Sequence, residues 1–345
     1  MKDPTQTFMY AEASQASEVA ALQYASNAAV IGDLAKRLRA LAPQIIFTCA
    51  RGSSDHAATY AKYLIETRLR IPVVSQAPSI SSIYGAPLLH MQNQPFIVIS
   101  QSGKSPDLLL SAEAARKAGA LVIALVNDIQ SPLADVAEIV VPLHAGPEKS
   151  VAATKSYIAT LCALAHLVGE WTQVGETQEA VTKLPDMLKA AWADDWSAGA
   201  EMLSQAQSMF ILGRGLTLGI AQEAALKFKE TSGIHAEAFS MAEVVHGPMA
   251  LVKPGFPLLI FPPTDQAAAG LESLVQQFLG RDAAIAVAGR KFDRTVSLGI
   301  PDKLDNVIAP IAMVQSFYAM VNAISVQRGF DPDRPPLLRK VTETI

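Results

Sequence analysis

"IIFTCARGSSDHAATYAKYLIE", residues 45–66, and "SMFILGRGLTLGIAQEAALKFKE", residues 208–230, are two versions of one pattern. At an offset of 163, Arg51 falls on Arg214, Gly52 on Gly215, Ala58 on Ala221 and Ala61 on Ala224. Each copy passes from a short unbroken apolar run, through a glycine turn, into a helix-like pattern. The echo continues downstream. "PFIVISQS" (95–102) resembles "FPLLIFPP" (256–263), "AGALVIALVN" (118–127) resembles "GRDAAIAVAG" (280–289), and "KSYIATLCALA" (155–165) resembles "QSFYAMVNAIS" (315–325). Apolar runs of strand length alternating with helical patterns predict a parallel sheet buried on both faces by crossover helices. The expected fold class is therefore α/β, with two doubly wound parallel-sheet domains related by an internal repeat. The boundaries expected are a helical lead-in over 1–42, a first domain over 43–169, a helical connector over 170–201 broken at Pro185, a second domain over 202–328 and a tail over 329–345.

The bulk composition agrees. The chain has 345 residues, half of them hydrophobic and 17% charged, enough apolar material for two cores and too much for disorder. A net charge of −4 with no basic cluster argues against a nucleic-acid partner. Cys49 and Cys162 lie in apolar surroundings without a CxxC pairing, as in proteins of a reducing cytoplasm. The start "MKDPTQTFMY" lacks the apolar core of a signal peptide. The longest apolar runs, such as "ALVIALV" (120–126), are far shorter than the ~20 residues that span a bilayer, so no membrane association is expected. The six histidines show no metal-ligand spacing, and no cofactor is expected.

Ligands of doubly wound sheets collect at the carboxyl ends of the strands. There the chain concentrates hydroxyls: "SQSGKS" (100–105) follows the run "FIVI" directly and precedes the helical "PDLLLSAEAARKAG". Unpaired N–H groups at a helix start, the hydroxyls of Ser100, Ser102 and Ser105, and the charge of Lys104 suit a phosphate monoester. A serine-capped helix start would explain the same residues. Two more turns of the first half are similar: "ARGSSDH" (50–56) with Ser53 and Ser54, and "GPEKSVAATKS" (146–156) with Ser150, Thr154 and the backbone at Val151 and Ala152. The corresponding loop of the second half, "PPTD" (262–265), lacks this chemistry, so one phosphate site per chain is expected.

Acid–base groups gather in the second half. Glu223, Lys227 and Glu230 share one helical face, which is either a salt-bridged surface or the rim of a site. "GIHAEAFSMAEVVHGP" (233–248) adds His235, Glu237, Glu243 and His246 in small and apolar company, with His235 open to a structural reading.

These motifs together resemble the tandem sugar isomerase (SIS) domain family, which includes the isomerase part of glucosamine-6-phosphate synthase and stand-alone deaminases. The matching stretches are "MYAEASQ" (9–15), "GSS" (52–54), "SQSGKSPD" (100–107), "AGPEKSVAATK" (145–155), "ALKFKE" (225–230), "IHAEAF" (234–239), "HGPMAL" (246–251) and "DRPPLLRKVT" (333–342), nearly end to end. The resemblance implies two flavodoxin-like domains, phosphate held among Ser100, Gln101, Ser102 and Ser105, and a sugar lined by Ser53, Ser54, Val151 and Ala152. It implies Glu230 as the base that moves a proton between C1 and C2, with Lys227 beside it. His246 would assist ring opening, and Lys340 would reach the carbonyl end. It further implies a homodimer in which the His246 segment enters the neighbouring subunit's site. Val245 stands where the synthase commonly has lysine, and Lys104 replaces an acidic residue. The chain leaves no room for the synthase's glutaminase domain, so glutamine-dependent synthesis is not expected. The expected reaction is an isomerising deamination, glucosamine 6-phosphate plus water to fructose 6-phosphate plus ammonia. A phosphosugar aldose–ketose isomerase, a fructosamine-phosphate deglycase and a non-catalytic sugar-phosphate sensor are the alternatives.

Overall fold

The computed structural model describes residues 3–338 and 340. The chain begins with α1 (Phe8–Ser14) and α2 (Ala16–Leu41). The first sheet follows as β1 (Ile46–Cys49), α3 (Gly52–Leu69), β2 (Val73–Ser75), α4 (Pro78–Ser82), β3 (Pro95–Ser100), α5 (Pro106–Lys117), β4 (Leu121–Val126), α6 (Pro132–Val136) and β5 (Ile139–Pro142), closed by α7 (Lys155–Thr172). Helices α8 (Gly175–Thr182), α9 (Leu184–Ala193) and α10 (Ser197–Leu203) lead to the second sheet. That sheet runs β6 (Ser208–Gly213), α11 (Leu218–Ser232), β7 (His235–Ser240), β8 (Pro257–Ile260), α12 (Leu271–Leu279), β9 (Ala284–Ala288), β10 (Val296–Leu298) and α13 (Ala309–Gln327).

Both sheets have five strands, all paired in parallel. Their orders are β2-β1-β3-β4-β5 and β7-β6-β8-β9-β10, which is the same order, second-first-third-fourth-fifth. The 163-residue repeat is thus a repeat of topology. Every residue of β3 and β4 is buried, as unbroken apolar runs require when helices cover both faces.

The chain divides into two compact units, each discontinuous in sequence. Of the described residues, one holds the second sheet with 3–17, 149–154 and 185–338; the other holds the first sheet with 18–148, 155–184 and 340. Residues 339 and 341–345 of the expected tail lie outside the described residues. Helix α13 is the one described helix long and apolar enough to cross a membrane, but 89% of its apolar window is buried within the protein. Its apolar length serves the core, where Phe317 packs edge-on against Phe228 and Phe261.

Helix α7 is buried almost throughout, and it carries His166 inside the first-sheet unit. The imidazole stacks on Tyr24 of α2 at 4.5 Å between ring centroids. Burial pushes its pKa below the ordinary 6.5, with the nearby Glu170 pulling the other way. A base with a depressed folded pKa binds fewer protons in the folded than in the unfolded state, so stability falls as pH drops from 6.5 through the lowered value. Urea midpoints at about pH 7.5 and about pH 5.5 are expected to differ less for His166→Gln than for the wild type. An equal difference would show that His166 takes up its proton without cost.

Candidate active site

In doubly wound sheets the binding crevice opens where the strand order reverses, here between β1 and β3. The turns that leave these two neighbours carry the expected phosphate residues. Ser100 ends β3, buried, and its Oγ accepts the Gly103 N–H at 3.1 Å. Gly103 takes φ +63°, and a Cβ there would collide with the Ser131 side chain, so glycine is required. Ser102 Oγ accepts the Lys104 N–H at 3.3 Å. Ser105 occupies the N-cap position of α5, yet its side chain makes no cap bond. Helix capping therefore does not account for it. Ser102 and Ser105 are half-buried, and neither hydroxyl donates to an acceptor among the described residues. Gln101 is half-buried beside them and its carbonyl accepts the Asn127 N–H.

The other turn places Ser53 and Ser54, both half-buried, in the first turn of α3. Arg51 at its N-cap reaches Asp107 in the first turn of α5, with Nε and one Nη each 2.8 Å from Oδ2. This ion pair, with its carboxylate fully buried, locks the two turns to each other. Lys104 Nζ lies 3.0 Å from a carboxylate oxygen of Asp128, an exposed pair. In the same unit Lys340 Nζ lies 2.9 Å from Oε2 of the fully buried Glu148, which also accepts the N–H and hydroxyl of Ser156.

The corresponding reversal in the second sheet lies between β6 and β8, where Thr217 ties two turns together. Thr217 Oγ1 donates to the Phe261 carbonyl at 2.7 Å and accepts the Arg214 N–H at 3.0 Å. A cleft of about 440 Å³ does open near the ends of β9 and β10, lined by Arg290, Lys291 and Lys303, but it holds none of the candidate residues.

The acid–base face of α11 is buried, which overturns the solvated-surface alternative. The Lys227 side chain is 1% exposed and that of Glu223 0%. Lys227 Nζ sits 2.5 Å from Glu230 Oε2 and 3.4 Å from Glu223 Oε1, and the Tyr318 hydroxyl donates to Glu223 Oε1 at 3.1 Å. Burial alone would lower the Lys227 pKa, but the two carboxylates outweigh it and leave the value raised, so the ammonium stays charged. Glu230 is 22% exposed, and among the described residues nothing hydrogen-bonds its Oε1. The result is a carboxylate fixed by one oxygen on a buried cation and open on its other side.

His246 ends a short 3-10 turn, exposed, and its imidazole makes no hydrogen bond among the described residues. His235 and Glu237 are exposed on the edge strand β7, so His235 is not a core histidine. The third hydroxyl-rich turn differs from the phosphate loop. Its Lys149 and Ser150 N–H groups go to Glu12, the Val151 N–H goes to the Asp333 carbonyl, and Ser150 Oγ donates to the Ala152 carbonyl. The N–H groups of residues 149 to 151 are thus spent inside the unit.

Residues 42–168 and 202–327 each match the SIS domain. The chain belongs to the SIS domain family. It is 33% identical over 313 residues to the isomerizing glutamine–fructose-6-phosphate aminotransferase of Thermococcus kodakarensis, covering 86% of this chain and 51% of that one. This SIS protein thus spans about half the length of the curated relatives it matches. Among solved structures it resembles a Silicibacter pomeroyi protein provisionally described as a phosphosugar isomerase, at 38% identity and TM-score 0.90, covering 95% and 100% of the two chains. It also resembles the C-terminal domain of glucosamine-fructose-6-phosphate aminotransferase from Francisella tularensis, at 26% identity and TM-score 0.86, covering 97% and 100%.

Sequence reading missed four anchoring groups: Glu12, Asp107, Glu148 and Asp333. Each lies within or next to a quoted motif, and a charged residue of a helix or loop ordinarily reads as solvated.

Proposed function

We propose that this SIS protein is an isomerising deaminase that converts glucosamine 6-phosphate and water to fructose 6-phosphate and ammonia. The observation that carries the proposal is the half-open Glu230 carboxylate anchored on buried Lys227. Ring opening exposes the C1 aldehyde, a step assigned to His246. Glu230 then takes the proton from C2 and delivers it to C1, while the C1 carbonyl oxygen gains the proton that the C2 amine loses, so that the aldehyde becomes a hydroxymethyl group and the amine an imine. Water adds to that imine and ammonia leaves, giving the ketose. The ammonium groups of Lys227 and Lys340 are placed in the supporting electrostatic roles that developing negative charge on oxygen requires. The phosphate group is assigned to residues 100–105, and its binding energy positions carbons remote from it. The exposed position of His246 supports a role in the site of a second copy of the chain, as the family resemblance implies.

The test is release of ammonia and ketose from a panel of hexosamine 6-phosphates. Ketose formed without ammonia from non-amino aldose phosphates would favour a plain isomerase, and no turnover of any sugar phosphate would favour a sensor. Combined Ser102→Ala and Ser105→Ala is expected to raise KM about tenfold or more with kcat little changed, since two hydroxyl donors to a charged group are lost. An unchanged KM would remove the phosphate from this loop.

A further inference from the structure

We propose that α1 is a clamp that sets the sugar-facing segment 149–152, with Glu12 and Asp333 as its positioning residues. The inference rests on the reading that Val151 and Ala152 line the sugar. Everything it uses lies within one compact unit. Glu12 is buried, and its two carboxylate oxygens take the N–H groups of Lys149 and Ser150. The Lys149 ammonium lies 5.2 Å above the Phe8 ring at the other end of α1. Asp333, also buried, caps that end: Oδ2 accepts the Phe8 N–H at 2.9 Å and Oδ1 the Met9 N–H at 2.8 Å. Its own carbonyl accepts the Val151 N–H at 3.2 Å. Three consecutive amides, 149 to 151, are thereby held by one helix and by the turn that caps it.

Two independent features separate this arrangement from ordinary loop packing. A buried carboxylate is costly unless hydrogen bonds satisfy it, so Glu12 is committed to these amides. The helix it belongs to is itself fixed at its start. Thr7, the N-cap, accepts the Tyr10 N–H and donates to Asn322 of α13 at 2.7 Å. The segment is thus referred through α1 to the core helix α13, the kind of rigid support a binding loop needs.

Glu12→Gln tests the clamp because an amide keeps one acceptor and turns the other into a donor facing an N–H. Hydrogen exchange of the 149–151 amides is expected to quicken about tenfold or more, while the β6 amides stay protected. By titration calorimetry, fructose 6-phosphate is expected to bind about tenfold more weakly, and inorganic phosphate within about twofold of the wild type. A purely structural role would lower the folded fraction and leave both affinities of the folded protein unchanged. Ser14→Ala, on α1 but bonded only to the Ala11 carbonyl of its own helix, is the control and should leave all three readings near wild type. If Glu12→Gln does not fold, Glu12→Asp keeps both oxygens one methylene short and carries the same test. Unchanged exchange at 149–151 overturns the clamp. Faster exchange with unchanged fructose 6-phosphate affinity overturns its link to the sugar. A wild type that binds no sugar phosphate defeats the functional reading instead, and the exchange result then decides the clamp alone.

Discussion

Glu230→Gln is expected to lower kcat for ammonia release from glucosamine 6-phosphate by roughly 10²–10⁴-fold, the usual contribution of a general base. The substitution nearly preserves shape, and the fold has reason to survive it. Lys227 keeps Glu223 at 3.4 Å, so the buried ammonium is still answered by one carboxylate, which the Tyr318 hydroxyl supports. Phosphate affinity should also survive, because the hydroxyl-rich loop 100–105 belongs to the other compact unit. The loss should then fall on kcat and kcat/KM together, as when an interaction made only in the transition state is removed. A Glu230 that merely pairs with buried Lys227 predicts lost folding stability but near-normal turnover of the folded protein. Assaying ammonia and ketose side by side separates these outcomes. Continued formation of both at close to the wild-type rate would remove Glu230 from the chemistry.

Much of the scaffold was legible in the sequence because it rests on local pattern. The runs "FIVI" and "ALVIALV" could only be buried strands, and the repeat at 163 residues predicted that both halves would share one topology, as the two strand orders do. The serine loop was legible in position but not in kind. Whether Ser105 spends its hydroxyl on a cap depends on side-chain geometry that spacing does not carry. The same limit applied to α11, where spacing placed Glu223, Lys227 and Glu230 on one face but could not say whether that face meets water or core. Burial there is decided by contacts across the chain, such as Tyr318 on Glu223, 95 residues apart. Glu12 and Ser150 are separated by 138 residues, and Glu148 and Lys340 by 192. Pairings over such distances leave no periodic trace. The tie made by Thr217 in the second sheet is of this type too, since one hydroxyl joins its own turn to the Phe261 carbonyl of another.

Lys227→Met is expected to cost about 3–5 kcal/mol of folding stability, the penalty for removing one member of a buried ion pair. Methionine fills a similar volume, so the loss is electrostatic rather than a cavity effect. The Lys227 side chain is 1% exposed and that of Glu223 is 0%, and without the ammonium two carboxylates share that region with no cation. The raised Lys227 pKa shows the same balance from the other side: burial opposes the charge, and the pair of carboxylates overcomes it. Adding Glu223→Gln should therefore restore part of the stability, because the double variant leaves Glu230 alone at the partly exposed edge. Urea unfolding of the wild type, the single variants and the double variant measures that coupling. Additive losses, or a Lys227→Met cost below about 1 kcal/mol, would mean that the cation does not organise this site. The Glu230 carboxylate would then lack the anchor on which its assignment as the base depends.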